Sequence, residues 1–254
     1  MKETDYRGLS HFQQYCKDLE EMYVVVGGFA TVMLLDEGLG DGHGKATHDI
    51  DLVLLTTSSI EMSQRIKQYV QEGKYEIQKG NKDQYHYYRF VKPEIEGFAK
   101  EIELFASNEN DLKLDDSQRI IPIDPEEGLY SLSAIMLDPE YFEMIKNNVT
   151  MSVVAPCTNT QATIMLKMSA FFDLNARNDN KWKKHRQDIL KLSLLLTGEE
   201  RLQMTGRMVE DFESFMTHLE KDVDQKMIKT ILNGMVTVDK ELTLETLKKV
   251  FIAE

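Results

Sequence analysis

Cysteine is scarce in this chain of 254 residues, which contains only Cys16 and Cys157. Two cysteines give no disulfide framework, and a chain of this kind suits a reducing compartment. Long apolar runs are also lacking, because no stretch approaches the length of a membrane span and the N-terminal segment has no apolar signal core. These absences predict a cytoplasmic protein that has no membrane partner.

Positive charge is scarce as well, since 30 lysines and arginines stand against 43 aspartates and glutamates and the formal net charge is -13. Such a molecule repels nucleic acid unless a local basic patch or a bridging metal intervenes. The composition, with 42% hydrophobic and 29% charged residues, is that of a folded chain. Its length allows one large domain or two ordinary ones.

Strand patterns are confined to the first part of the chain. Apolar and alternating segments up to about Pro156 predict strands separated by helices, whereas helical spacing dominates from about Gln161 onward and strand runs disappear. We therefore predict an α+β fold with two domains. Residues 1–156 would form a mixed β-sheet with flanking helices, and residues 157–254 a C-terminal helical bundle.

Local signals place several elements more closely. Helical spacing predicts a helix over residues 5–22, and "SSIEMSQRIKQYVQEG" combines a serine cap, a helical pattern and a terminating glycine. The segment "DEGLGDGHGK" is predicted to be a glycine-rich loop, and "VTMSVVAP" to be a single strand.

Two aspartates, Asp49 and Asp51, interrupt an otherwise apolar strand in "HDIDLVLL". Side chains two positions apart point to the same face of a strand, so these carboxylates would repel each other and lose hydration together. A cation is the simplest compensation, although a solvated face of an edge strand would also accommodate them.

A third carboxylate comes from "KEIELFA", in which Glu101 and Glu103 share one strand face. If this strand lies beside "HDIDLVLL", either glutamate can complete a triad with Asp49 and Asp51. Carboxylate oxygens are hard ligands that suit Mg²⁺, and two such ions can hold a triphosphate and activate an attacking hydroxyl.

A glycine pair, Gly27 and Gly28, directly follows the apolar strand that ends at Val26. Glycines between a strand and a helix let backbone N–H groups approach a phosphate, with the N-terminus of the helix behind them. The same pair is also compatible with a simple tight corner.

Together these segments resemble the nucleotidyltransferase superfamily of the DNA polymerase β type. The resemblance rests on "VVGGFA", "THDIDLVL" and "IELFA", which look like that superfamily's glycine turn, D-x-D strand and third acid. More narrowly, the chain is similar to the AbiEii/AbiGii abortive-infection toxin family of bacterial nucleotidyltransferases, through "TIMLKMSAFFDLNAR" and "KWKKHRQDILKL" as well. The resemblance implies a nucleotidyltransferase fold in the N-terminal domain, with catalytic and metal-binding carboxylates at Asp49, Asp51 and Glu103.

The same family carries K-L-x-A-x-x-x-R and D-x-x-D motifs. Lys167 matches the lysine of the first motif, whereas its arginine position is Leu174 here and Arg177, one helical step further, is a candidate substitute. Asp188 matches the second acid of the D-x-x-D motif, and His185 stands in place of the first. The resemblance therefore implies nucleotide binding by Gly27, Gly28, Lys167, Arg177 and Asp188.

The residues themselves leave alternatives open in this half of the chain. Lys167, inside the apolar "ATIMLKMSAFFDL", is either a lysine whose stem packs while its ammonium reaches water or a phosphate ligand. The basic segment "ARNDNKWKKHRQD" is either a solvated helix face or a surface for a triphosphate tail or an RNA backbone. Lys184 and Asp188 also have the spacing of a surface ion pair on a helix.

The sequence thus predicts a Mg²⁺-dependent enzyme that moves a nucleoside monophosphate from an NTP to a hydroxyl acceptor and releases pyrophosphate. By resemblance it would be the toxin of a toxin–antitoxin or phage-defence pair, with an antitoxin protein as partner and an RNA such as tRNA as acceptor. One rival is an enzyme that modifies an aminoglycoside-like small molecule, which the acidic charge favours. The other is a non-catalytic module that binds nucleotide or a partner protein.

Overall fold

The computed structural model describes residues 6–44, 46–56, 59–79, 85–107, 120–122, 132–232 and 238–253. They divide into two compact units. The first contains the described residues up to Met33 and those of Gly44–Thr158, and the second contains Leu34–His43 and the described residues from Asn159 onward. The sequence placed the boundary near residue 156 and assigned residues 34–43 to the first domain, whereas in the structure this short segment packs within the second unit.

The first unit combines a mixed β-sheet with helices, so the α+β class holds. Its helices are α1 (Arg7–Tyr15), the first part of α2 (Gly27–Leu39), α3 (Ile60–Glu72) and α4 (Pro139–Lys146). Its strands are β1 (Tyr23–Val26), β2 (Asp49–Leu54), β3 (Glu76–Lys79), β4 (Tyr85–Val91), β5 (Glu101–Ala106), β6 (Ile120–Pro122), β7 (Ser133–Met136), β8 (Val149–Met151) and β9 (Pro156–Thr158).

The main path through the sheet runs in the order β3-β4-β5-β2-β1-β9-β8. Strand β2 is central: it pairs antiparallel with β1 and parallel with β5. Strand β4 pairs antiparallel with the first half of β5, and β7 pairs parallel with its end, while β6 pairs with β7. The two acid-bearing strands are therefore direct neighbours.

The period-two pattern of β2 and β5 decides which face enters the core. Ile50, Leu52, Ile102 and Leu104 are fully buried, each with 0% of its surface exposed. Burying an aliphatic side chain of this size stabilises the fold by about 1.5–3 kcal/mol. The alternate residues of both strands must then point to the opposite face of the sheet.

Helix α3 follows its sequence signals closely. The Ser59 side chain accepts a hydrogen bond from the N–H of Met62, which satisfies one of the free donors at the start of the helix. The helix ends at Glu72, directly before Gly73. The predicted serine cap and glycine end are both confirmed.

Helices α1 and α2 differ from their predicted lengths. The helix predicted over residues 5–22 ends at Tyr15, because Asp18 adopts a left-handed backbone conformation with φ of 68°, and only a short 3₁₀ turn follows at Glu20–Met22. The predicted loop "DEGLGDGHGK" instead begins as the last turn of α2. There a Cβ at Gly38 would lie 2.4 Å from Leu195 Cδ2, so this glycine permits close packing within the second unit rather than flexibility.

The single strand predicted from "VTMSVVAP" is two strands, β8 and β9, which pair antiparallel. Their turn contains neither glycine nor asparagine. The Ser152 hydroxyl makes it by accepting from the N–H groups of Val154 and Ala155 and donating to the Ala155 carbonyl.

The second unit is mainly helical and contains α5 (Thr160–Ala176), α6 (Trp182–Leu192), α7 (Arg207–Asp222), α8 (Gln225–Ile231) and α9 (Lys240–Val250). Helix α5 packs against α6 and α7, where the Phe171 ring makes edge contacts with Trp182 and Phe215. The prediction that strands end after Pro156 is wrong, because β10 (Leu202–Met204) and β11 (Phe251–Ala253) form a parallel pair. Across the ranges described above, no helix combines the length and hydropathy that a membrane crossing requires.

Candidate functional site

Four carboxylates share one face of the central sheet, which we call the acid face and define as Asp49, Asp51, Glu101 and Glu103. The parallel pairing of β2 with β5 sets Asp49 opposite Glu101 and Asp51 opposite Glu103. Paired residues on neighbouring strands project to the same side of a sheet, only about 5 Å apart. Strand register thus places the predicted residues Asp49, Asp51 and Glu103 on one face of two neighbouring strands.

The glycine turn meets the acid face at Asp51. Strand β1 ends at Val26, the register partner of Asp51, and α2 begins at the next residue, Gly27. Gly27 has a φ of +68°, and a Cβ built on it would lie 2.0 Å from Asp51 Oδ2. This position therefore excludes any side chain, both by its backbone conformation and by the carboxylate beside it.

At Gly28 a neighbouring side chain, and not the backbone conformation, requires glycine. A Cβ at Gly28 would lie 2.9 Å from the hydroxyl oxygen of Thr47, which is closer than real Cβ contacts allow. The start of α2 is further fixed by Thr31, whose hydroxyl donates to the Gly27 carbonyl at 2.8 Å. The structure thus brings Gly27 and Gly28, the first two residues of α2, to the same corner as Asp51.

An arginine that the sequence did not single out also belongs to the acid face. Arg89 on β4 is the register partner of Glu103. Its Nε donates to Glu101 Oε1 at 2.6 Å, and its Nη1 lies 3.9 Å from Glu103 Oε1. The only signal was an arginine inside the aromatic strand "YHYYRFVK", a pattern equally typical of an exposed edge residue.

Glu103 has an altered protonation equilibrium in these surroundings. Burial raises the pKa of its carboxyl, the nearby Arg89 guanidinium opposes that effect, and the negative charge of Glu101 adds to it. A carboxylate with a raised pKa is a stronger base, which suits a group that takes a proton from a hydroxyl.

The acid face fits a hard divalent ion by its chemistry, although its side chains are not gathered around one point. The described ranges contain no group of three or more His, Cys, Asp or Glu side chains arranged to hold a metal ion together. The carboxylate oxygens are nevertheless the ligands that Mg²⁺ prefers. As they stand, Glu101 and Glu103 are turned towards Arg89.

The predicted nucleotide ligands Lys167 and Asp188 pair with each other inside the second unit. Lys167 Nζ on α5 donates to Asp188 Oδ2 on α6 at 2.7 Å, and their side chains are only 5% and 11% exposed. The alternative in which the Lys167 ammonium reaches water is therefore wrong. So is the surface pair between Lys184 and Asp188, because Asp188 is buried and faces Lys167.

His185, which occupies the first position of the second family motif, lies half-buried beside this ion pair. Its Nδ1 is buried without a hydrogen-bond partner. Burial lowers the pKa of the imidazole to about 4, with Lys167 adding to the effect and Asp188 opposing it. His185 is therefore neutral at pH 7.

This neutral histidine predicts a loss of stability in acid. The unfolded chain protonates His185 near its ordinary pKa of about 6.5, whereas the folded chain resists protonation down to about 4. The unfolding free energy should therefore fall by about 2–3 kcal/mol as the pH falls through that interval. Above that interval this group should cause no loss of stability. Urea unfolding across this pH range should show the loss in the natural protein and a smaller one in His185→Gln. Parallel profiles of the two proteins would contradict the assignment.

The basic segment divides into exposed and buried members. Arg177, at the end of α5, is exposed, as are Lys181, Lys183 and Lys184 around the start of α6. Arg186 is buried, with its guanidinium carbon 5.1 Å from the centre of the Trp182 ring and its Nη1 donating to His218 Nε2 at 3.4 Å. One side of the segment is thus exposed to solvent, and the other side packs against the rest of the second unit. Leu174, on the preceding helix, is half-buried.

The chain matches no protein-family model, and no curated protein is significantly similar to it. The geometry of the acid face and the motifs of the chain are therefore the basis for inferring its function.

Proposed function

We propose that the protein is a metal-dependent nucleotidyltransferase whose active site is the acid face together with the Gly27–Gly28 turn. One observation carries the proposal: carboxylates from two neighbouring parallel strands share one face of the sheet beside a glycine that opens a helix. Like charges are costly to bring together on a half-buried face, so such an arrangement calls for a cationic ligand. A helix N-terminus at the same corner supplies N–H donors for phosphate.

The residues divide the chemistry between them. The N–H groups at the start of α2 would hold the triphosphate, and Asp49, Asp51 and Glu103 would hold Mg²⁺, which neutralises phosphate charge when bound. The acceptor oxygen would attack the α-phosphorus, the bond to the β-phosphate would break, and pyrophosphate would leave. Glu103 would take the proton from the acceptor hydroxyl.

The proposal does not depend on Lys167 or Asp188. Each neutralises the other inside the second unit, so neither offers an uncompensated charge to a nucleotide. Arg177 is exposed and remains a candidate phosphate contact by resemblance only. The catalytic assignment is thus confined to the first unit.

The acceptor is proposed from resemblance and charge. A toxin of a toxin–antitoxin or phage-defence pair would modify an RNA such as tRNA, and the exposed Arg177, Lys181, Lys183 and Lys184 offer local contacts to its phosphates. A cationic aminoglycoside-like acceptor is the second candidate, because the net charge of -13 attracts cations.

An assay with α-phosphate-labelled NTPs tests the function and the acceptor class together. Purified protein is incubated with Mg²⁺ and with cellular RNA, total protein or an aminoglycoside in separate reactions. We expect label to move to one of these classes and to require Mg²⁺. Absence of transfer to all three would favour the non-catalytic module.

Asp51→Asn is expected to reduce label transfer by roughly 100-fold or more, because several kcal/mol of transition-state charge stabilisation depend on this carboxylate. Glu94→Gln is the matched control, since Glu94 lies in the same unit in an exposed ion pair with Lys74 at 3.4 Å. Thermal melting establishes that both variants fold. Transfer that persists in folded Asp51→Asn would place the chemistry elsewhere.

A further inference from the structure

The Arg89 guanidinium provides a positive charge within the acid face. Its guanidinium divides its contacts, with Nε bonded to Glu101 at 2.6 Å and Nη1 approaching Glu103 at the longer distance of 3.9 Å. The side chains of all three residues are partly shielded, with 38% of Arg89, 25% of Glu101 and 21% of Glu103 exposed. Charges at such partly shielded positions interact more strongly than they would in open water.

The two contacts of Arg89 differ in kind. The contact with Glu101 is a short, charge-assisted hydrogen bond, which anchors the guanidinium. The contact with Glu103 is too long for a hydrogen bond and is an electrostatic attraction only. Glu103 can therefore turn away from Arg89 while Glu101 keeps it in place.

We propose that Arg89 is the resident counter-cation of the acid face, which competes with the divalent ion for Glu103 and so sets the metal affinity of the site. This inference rests on the proposed function, because it requires that Asp51 and Glu103 bind a metal. Arg89 is a positioning residue here, since it acts through the two glutamates. By contacting Glu101 and Glu103, Arg89 lowers the attraction of these two carboxylates for further positive charge.

Loss of the guanidinium should lower the stability of the metal-free protein and raise its affinity for Mg²⁺. In metal-free buffer, Arg89→Gln should melt at a lower temperature than the natural protein, because the carboxylates lose their counter-charge. In Mg²⁺ the difference should close. The apparent Kd for Mg²⁺ should become roughly three- to tenfold tighter, which is the size expected from removing a partly screened competing charge.

The experiment measures thermal stability and Mg²⁺ binding by calorimetry, with no dependence on catalysis. Lys92→Gln is the matched control, because Lys92 lies just beyond the end of β4 and pairs with Glu76 at 3.0 Å in an exposed ion pair. It should respond to Mg²⁺ as the natural protein does. Arg89→Met, which keeps an apolar stem on the sheet, provides a second test of the same charge.

The outcomes separate this inference from the function on which it rests. If Mg²⁺ stabilises the natural protein and Arg89→Gln equally, and Asp51→Asn abolishes the response, the role of Arg89 is overturned while the metal site stands. If Mg²⁺ stabilises none of the proteins, the metal site and the proposed function fail together. Arg89 variants that remain unfolded in millimolar Mg²⁺ would also overturn the inference, because the ion should take over the lost counter-charge.

Discussion

A Gly27→Ala variant is expected to lose about 2–4 kcal/mol of unfolding free energy and all measurable nucleotidyl transfer. The first cause is conformational, because Gly27 has a φ of +68°, where an L-residue with a Cβ is strained. The second is steric, since the new methyl would lie 2.0 Å from Asp51 Oδ2 and must displace that carboxylate. Urea unfolding measures the loss of unfolding free energy, and the labelled-NTP assay measures the loss of nucleotidyl transfer.

Two further variants distinguish these causes. Gly40→Ala also places alanine at a positive φ, of +93°, but meets nothing within 4 Å, so it should show only the conformational cost of about 1–2 kcal/mol. Adding Asp51→Ala to Gly27→Ala removes the closest contacts, those with Oδ2 and Cγ, and should restore part of the stability without restoring transfer. A Gly27→Ala protein as stable as Gly40→Ala and fully active would show that the turn does not press on the site.

The second large effect is expected at the buried ion pair of the second unit. Lys167→Met should cost about 3–5 kcal/mol, because it leaves the Asp188 carboxylate in a buried environment without its counter-charge. The double variant Lys167→Met/Asp188→Leu should recover most of this loss, since two apolar side chains of suitable size need no partner. Thermal and urea unfolding of the natural protein, the single variants Lys167→Met and Asp188→Leu and the double variant complete the cycle.

An exposed pair serves as the reference for that cycle. Lys248 and Glu220 approach to 2.9 Å with side chains 57% and 47% exposed, so Lys248→Met should destabilise the fold far less than Lys167→Met does. A loss of similar size in Lys167→Met would mean that the buried pair is solvated in solution. Such a result would reopen Lys167 as a phosphate ligand.

The features that the sequence predicted well depend on local periodicity. Alternation within "HDIDLVLL" and "KEIELFA" places both acids of each strand on one face, because the period of a strand is two whatever its neighbours are. The cap and end of α3 depend on residues within one turn of the helix. These local rules need no knowledge of the rest of the chain.

The features that the sequence missed depend on contacts between distant segments. Arg89 joins the acid face only through the pairing of β4 with β5, which no local pattern reveals. Lys167 and Asp188 were both identified, but as separate nucleotide ligands, since only the packing of α5 on α6 brings them together. The short strands β8 and β9 were merged because a serine hydroxyl, rather than a glycine or asparagine, makes their turn.

The parallel pairing of β2 with β5 has a kinetic consequence. Helix α3 and the β3–β4 hairpin lie between these strands in the chain, so their pairing requires closure of a long loop, whereas the hairpin can close at once. Charge repulsion between the acids of β2 and those of β5 is consequently felt only after that closure. A bound divalent ion should therefore reduce the unfolding rate far more than it increases the rate of the initial collapse of the chain.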